Sequence, residues 1–330
     1  MYVPLFEKLH VEGKITDASL QKIKEHPSVR LLSVHWELKI LLYLGVLLLS
    51  GGLGILVYKN IDTIGHQMIL LFIALLCGAG FFYCSRHKAP FTVLKAVSPN
   101  VFFDYALLLS CLLMLIFVAY LQFQYRVFGN RYGLATFFPM LVLFFAAYYY
   151  DHLGVLSLAI TNLGTWLGIT VTPLHIWQSA DMSSSTVIFT GLFLGVLLVA
   201  ASIVTRSRDF KKHFAFTYLN FGMHLLFISC LAAMFDFENG YLLWLVVLAG
   251  MVYYFYAKAH ADRSFYIMMV TTLYSYIGLG YMVVRLLDSL PYSGIGLVYF
   301  GLIYFIVSGL ALVFFLIRMN KKLKSHDRLS

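Results

Sequence analysis

Charge is the scarcest property of this sequence. Of its 330 residues only 12% are Asp, Glu, Lys or Arg, against roughly 25% in an average soluble chain. Together with 61% hydrophobic residues and a mean hydropathy of +0.83, this excludes a soluble globular enzyme and a disordered chain. Cysteine is also sparse. Cys77, Cys84, Cys111 and Cys230 all lie inside apolar runs and form no CxxC. That excludes a disulfide scaffold, a zinc knuckle and a redox pair, and the four read as small buried hydrophobes. The motifs of soluble chemistry are missing too: no P-loop, no HExxH, no GxSxG, no GxGxxG between a strand and a helix, and no two histidines at i, i+4. No catalytic residue, metal site or cofactor is read from the sequence.

Uninterrupted apolar sequence is what abounds. A helix needs roughly 20 apolar residues to cross the hydrocarbon core, whereas a membrane-barrel strand alternates weakly over about ten. The run LLYLGVLLLSGGLGILVY at 41–58 does not alternate. The fold class is therefore all-α, a polytopic membrane helix bundle of about ten spans. The spans fall at 40–58, 68–84, 104–121, 134–150, 153–171, 186–204, 215–235, 241–257, 265–285 and 294–317.

Residues 1–38 are the one sizeable polar segment and predict a cytoplasmic amphipathic helical hairpin. Leu5, Phe6, Leu9 and His10 share a face, and Gly13 can end that helix in a left-handed cap. Thr16 suits the next N-cap, Asp17 its first turn, and Pro27 stops the second helix. The first apolar run starts near Ile40, behind this segment, so no cleaved leader is expected. The organisation expected is this hairpin, a transmembrane domain over 39–318 and a basic cytoplasmic tail over 319–330.

All Lys and Arg except Lys59, Arg126, Arg131 and Arg285 fall in segments on one side of these spans. This is the positive-inside pattern, and it puts both termini in the cytoplasm. The net charge of +9 then reflects orientation and contact with anionic headgroups, with no nucleic-acid partner. Each basic residue near the surface contributes roughly 1 kcal/mol to that contact. Trp177, in the longest external loop, would sit at headgroup level.

The segment ITNLGTWLGI (160–169) in the fifth span is echoed by VTTLYSYIGL (270–279) in the ninth, 110 residues later. If it is a duplication, it is a parallel repeat of four helices per unit. Gly164 with Gly168, Gly191 with Gly195, and Ser50 with Gly54 form small-xxx-small pairs that let helix backbones approach. The GxxxG faces, or the N-terminal hairpin, could also receive a protein partner.

An ionisable group inside a span costs at least a few kcal/mol if it meets lipid, so such groups are informative. His224 lies near a midplane, with Asn220 on the same helical face, and Thr161, Asn162 and Thr165 make the fifth span polar. His224, Asn220, Asn162 and Thr161 are the candidate intramembrane site, as a proton relay or ligand contact. The structural alternative is helix–helix hydrogen bonding. On the outer face Asn60 and Asp62, with Gly65, read as a turn and cap or a ligand site, and Arg285 with Asp288 as an ion pair or headgroup contact. Asp104 and Asp151 read as caps or interface charges at the cytoplasmic rim. Tyr148–Tyr150 and Tyr253, Tyr254 and Tyr256 read as an aromatic belt.

The stretches LHVEGKITDASLQKIKE (9–25) and LGVLLLSGGLGILVYKNIDTIGHQMILLFIALL (44–76), with YYYDHLGVLSLAITNLGTWLGI (148–169), carry a resemblance. A short hairpin, a Gly-rich first span and an Asn-x-Asp turn resemble the predicted bacterial membrane proteins of the domain-of-unknown-function family two-one-five-seven, mainly over the first quarter of the chain. The family usually has Trp between the Asn and the Asp, where this chain has Ile61. The resemblance implies a bacterial inner-membrane location and supplies no activity, substrate or catalytic residue.

The leading functional expectation is translocation or binding of a lipid or other weakly polar small molecule, because the spans hold too few charges for an ion-coupled pump. The alternatives are a non-catalytic membrane partner or assembly subunit, and an intramembrane enzyme on a lipid-linked substrate with His224 as general base. The span list makes one direct prediction. Reporter fusions or cysteine labelling at the two chain ends should report the same, cytoplasmic, face; opposite faces would mean an odd number of crossings.

Overall fold

The computed structural model describes residues 10, 15–17, 35–59, 65–171, 185–237, 240–289 and 295–326. Among them are ten long helices and no strand: α1 (His35–Lys59), α2 (His66–His87), α3 (Val101–Tyr125), α4 (Tyr132–Tyr150), α5 (Leu153–Val171), α6 (Ser185–Ser207), α7 (Ala215–Asp236), α8 (Tyr241–Ala261), α9 (Phe265–Asp288) and α10 (Ile295–His326). All ten are long and apolar enough to cross a membrane. Each coincides with one expected span, and several run past the apolar window at a polar end, where backbone hydrogen bonding outlasts hydrophobicity. Most of the expected N-terminal hairpin, including Gly13 and Pro27, lies outside the described residues, as do Trp177, Asn60 and Asp62.

The chain divides into two units, residues 1–55 and 56–330. In the first, His10 Nε2 lies 2.6 Å from Asp17 Oδ1. In the second, the closest helix pairings are the consecutive hairpins α2–α3, α4–α5, α6–α7 and α8–α9. Their interiors form two apolar cores. One is built around Phe103, Leu107, Leu143, Leu156 and Leu198, and the other around Met223, Phe227, Met234, Phe255 and Met268. Helix α7 serves both, with Tyr218, Phe221 and Leu225 on the first and Leu219, Met223 and Phe227 in the second, and it is the most enclosed of the spans. Cys84 and Cys111 fill the first core and Cys230 the second; all four cysteines are free thiols.

The α6–α7 pairing shows why small residues are needed. A Cβ added at Gly222 would lie 3.0 Å from the Gly195 carbonyl oxygen and 3.0 Å from the Val199 nitrogen, and one added at Gly195 would lie 3.1 Å from the Leu226 nitrogen. Backbone faces backbone there, so the Gly191–Gly195 face is taken up within the chain. Gly164 and Gly168 are different. A Cβ at Gly164 would only touch Leu194, at 3.8 Å, and one at Gly168 would meet nothing within 4 Å. That pair does not mediate a close approach, because α5 packs through bulkier residues such as Leu156 and Ile160.

Helix α4 continues through Pro139, which has no N–H to donate and crowds the preceding turn. Asn162 of α5 donates its Nδ2 to the carbonyl of Thr136 in that turn, at 2.8 Å. A neighbouring helix thus supplies a donor where a proline loosens the ladder. The turns before α5 and α9 are built alike. Each has a left-handed residue, Asp151 (φ 58°) or Arg263 (φ 49°), followed by a capping side chain. His152 Nδ1 accepts from the Val155 N–H, and Ser264 Oγ accepts from the Ile267 N–H.

Gly222→Ala should lower the melting temperature of the detergent-purified protein, by the equivalent of about 1–3 kcal/mol. Gly168→Ala should leave it unchanged. Equal melting of both variants would show that the α6–α7 backbones are not in contact.

Candidate functional site

Some polar residues inside the spans bond across to other helices, and one such group forms a continuous seam between α7 and α9. Asn220 and His224 share a face of α7, one turn apart, and Tyr266 and Tyr274 share a face of α9. Tyr266 donates its hydroxyl to Asn220 Oδ1 at 2.6 Å, and lies 3.0 Å from His224 Nε2. Tyr274 Oη lies 2.8 Å from His224 Nδ1. The order of donors follows. Because the Tyr266 proton goes to Asn220, the Tyr266 oxygen accepts from Nε2–H, and the bare Nδ1 accepts from Tyr274. For a neutral imidazole this order of donors is the Nε2–H tautomer. Stacking of Tyr274 on Phe227, with ring centroids 5.0 Å apart, holds the deeper end.

All four side chains of the seam are partly exposed. Tyr266 is the second residue of α9, and Tyr274 stands about 12 Å further along the axis. The seam thus runs from one end of the bundle toward its middle and carries no formal charge. Sequence reasoning singled out Asn220 and His224 but missed both tyrosines. The available signal was their eight-residue spacing, which puts two hydroxyls on one face of a span where hydroxyls need partners.

The other candidates do not join this seam. Asn162 spends its amide on Thr136 in α4. Thr161 Oγ1 donates to the carbonyl of Ser157, one turn back in its own helix, and Thr165 Oγ1 donates to that of Thr161. On the opposite end, the ion pairs among the described residues do not include one between Arg285 and Asp288. Arg285 Nε donates to Tyr281 Oη at 2.9 Å, and its guanidinium lies over the rings of Tyr241 and Tyr281 at 5.7 and 5.6 Å. Asp288 is exposed at the end of α9.

Charges gather at the end where the hairpin tips meet. Asp151 closes α4 in the left-handed conformation, and its carboxylate is buried. Oδ2 accepts the Ala96 N–H at 2.5 Å, and Oδ1 lies 2.6 Å from His213 Nε2 and 3.2 Å from Lys211 Nζ. Lys211 is itself only 1% exposed, lies over the Phe91 ring, and donates its N–H to the Val93 carbonyl. One carboxylate therefore ties the α2–α3 connector, the α4–α5 turn and the α6–α7 connector together. Nearby, Lys88 Nζ donates to Tyr149 Oη, and Ser98 donates to Asp104, which also lies 3.8 Å from His152 Nε2. On the other side, Asp262 pairs with Arg206 at 2.7 Å and Lys258 at 3.3 Å. Tyr148–Tyr150 belong to these contacts, while Tyr253 and Tyr254 face outward.

Removing one partner of a buried pair strands the other charge, which costs about 3–5 kcal/mol. Asp151→Asn should therefore destabilise the purified protein by that order, read as a fall in thermal midpoint. Asp209→Asn, whose partner Lys212 is 63% exposed, should cost under about 1 kcal/mol.

No curated protein and no solved structure matches this chain. One family does. Its matched stretch runs from the N-terminal polar segment through α4, taking in Asp104 and Asp151 and ending just inside α5. The seam of α7 and α9 lies outside it. The chain is thus a multi-pass membrane protein whose residues 7–156, nearly half its length and more than the first quarter, match the family described as "Predicted membrane protein (DUF2157)".

Proposed function

We propose that the protein resides in a bacterial inner membrane with both termini in the cytoplasm, and that it binds and translocates a lipid or another weakly polar small molecule. The observation that carries this reading is the seam of Asn220, Tyr266, His224 and Tyr274. It offers hydroxyl, imidazole and amide groups without a formal charge, is partly open, and leads from the basic end toward the middle of α7. An ion-coupled pump places several charges along its path. Here the ion pairs among the described residues of the second unit lie at helix ends and connectors. A cargo with a few hydrogen-bonding groups on an apolar body suits such a path. The basic end supports the cytoplasmic orientation through the positive-inside rule.

The test is reconstitution into proteoliposomes with a panel of fluorescent lipids, read by accessibility of the label to a membrane-impermeant quencher. The wild type should equilibrate at least one lipid class faster than empty vesicles. The double variant Tyr266→Phe/Tyr274→Phe should slow this about 3- to 10-fold, since interhelical hydrogen bonds in membranes contribute roughly 0.6–1.7 kcal/mol. No movement above empty vesicles across the panel would refute the proposal.

A further inference from the structure

A cleft of about 530 Å³ opens at the basic end between α4, α6 and α7. Ala201 and Val204 give it an apolar wall, and Phe210 stacks on Tyr148 at its edge, with centroids 5.9 Å apart. Its polar groups are Tyr148, Tyr218, Thr205 and Arg208. It lies on the face of α7 opposite the seam, because Tyr218 and Asn220 are about 200° apart around the helix.

The polar groups share one chemical character, which is spare donors. Tyr148 and Tyr218 hydroxyls lie 2.9 Å apart, so one proton is used between them and the other remains available. Thr205 lines the cleft, and no hydrogen bond holds its hydroxyl to another described residue. Its neighbours Ser202 and Ser207 donate to the carbonyls of Ala215 and Val204. Arg208 is set apart in the same way. Within its segment Arg206 is held by Asp262, Lys211 by Asp151 and Lys212 by Asp209, whereas the Arg208 guanidinium has no carboxylate among the described residues. No acidic side chain lines the cleft.

We infer that this cleft binds a phosphate group, with the oxyanion on the Arg208 guanidinium and the Thr205 and tyrosine hydroxyls, and any attached apolar body along Ala201 and Val204. Arginine presents paired N–H donors that match phosphate oxygens. The cleft's place at the rim of three spans suits a phospholipid headgroup, and the same donors would hold the phosphate of a soluble phosphoester. The inference does not depend on translocation through the seam.

The test uses the full-length protein in uncharged detergent, with dissociation constants measured for dioctanoyl phosphatidylglycerol, dioctanoylglycerol and glycerol 3-phosphate. The phosphatidylglycerol should bind saturably, and R208Q should weaken it about tenfold, the effect of losing one charge-assisted hydrogen-bonded contact. T205V should weaken it several-fold. R206Q, which removes the same charge two residues away but outside the cleft, should change it less than twofold. Glycerol 3-phosphate binding as tightly as the lipid, with the same Arg208 dependence, would support a phosphate site supplied from solution; weaker binding would support the lipid. Three results would each overturn the inference: dioctanoylglycerol binding as well as the phosphatidylglycerol, R208Q and R206Q weakening it equally, or R208Q having no effect. If R208Q does not purify, T205V and Tyr218→Phe decide, and unchanged binding in both overturns the inference.

Discussion

Hydrocarbon offers no hydrogen-bond partners, and that constraint arranges nearly every polar atom of this chain. The backbone answers it by staying helical across each apolar run. Side chains answer it in three ways. Serines and threonines bond back to a carbonyl of their own helix, as Thr161, Thr165 and Thr272 do. Asn162 bonds across to a neighbouring helix where Pro139 has disturbed the ladder. His224 lies between two tyrosine hydroxyls on a facing helix, which give both of its ring nitrogens a partner.

The same constraint moves charge to the ends, where it holds the hairpin tips together. Asp151 gathers a backbone N–H, an imidazole and an ammonium group from two separate connectors. Helices alone could slide along one another, since lipid tails give little preference between one apolar register and the next. A buried carboxylate with fixed partners does not slide, and neither do the backbone contacts at Gly195 and Gly222. Between them they fix the relation of α4, α6 and α7, the helices around the cleft, while the seam depends on the register of α7 against α9.

Much of this was legible in the sequence. Apolar length located ten helices because crossing a bilayer sets a length that local composition reports directly. His224 with Asn220 stood out because an imidazole and an amide one turn apart are rare in such runs. The tyrosine partners did not stand out, since tyrosine is common in this chain and only a facing helix shows which hydroxyls are spoken for. The glycine pairs were half legible: spacing identified Gly191–Gly195 and Gly164–Gly168 alike, but only the first has a backbone opposite it. Lys211 was counted among basic loop residues, and nothing local distinguishes a lysine buried on Asp151 from one in water.

Composition and hydropathy therefore determined class, span number and the gathering of basic residues at one end, because each is set by transfer of a short segment between water and lipid. Which polar groups meet was decided by tertiary structure. Pairing of Tyr266 and Tyr274 with His224, of Asn162 with Thr136, and of Lys211 with Asp151 depends on the rotation and register of separate helices. So does the meeting of Thr205 and Arg208 at one cleft, which follows from a gap between three helices and not from any property of the residues themselves.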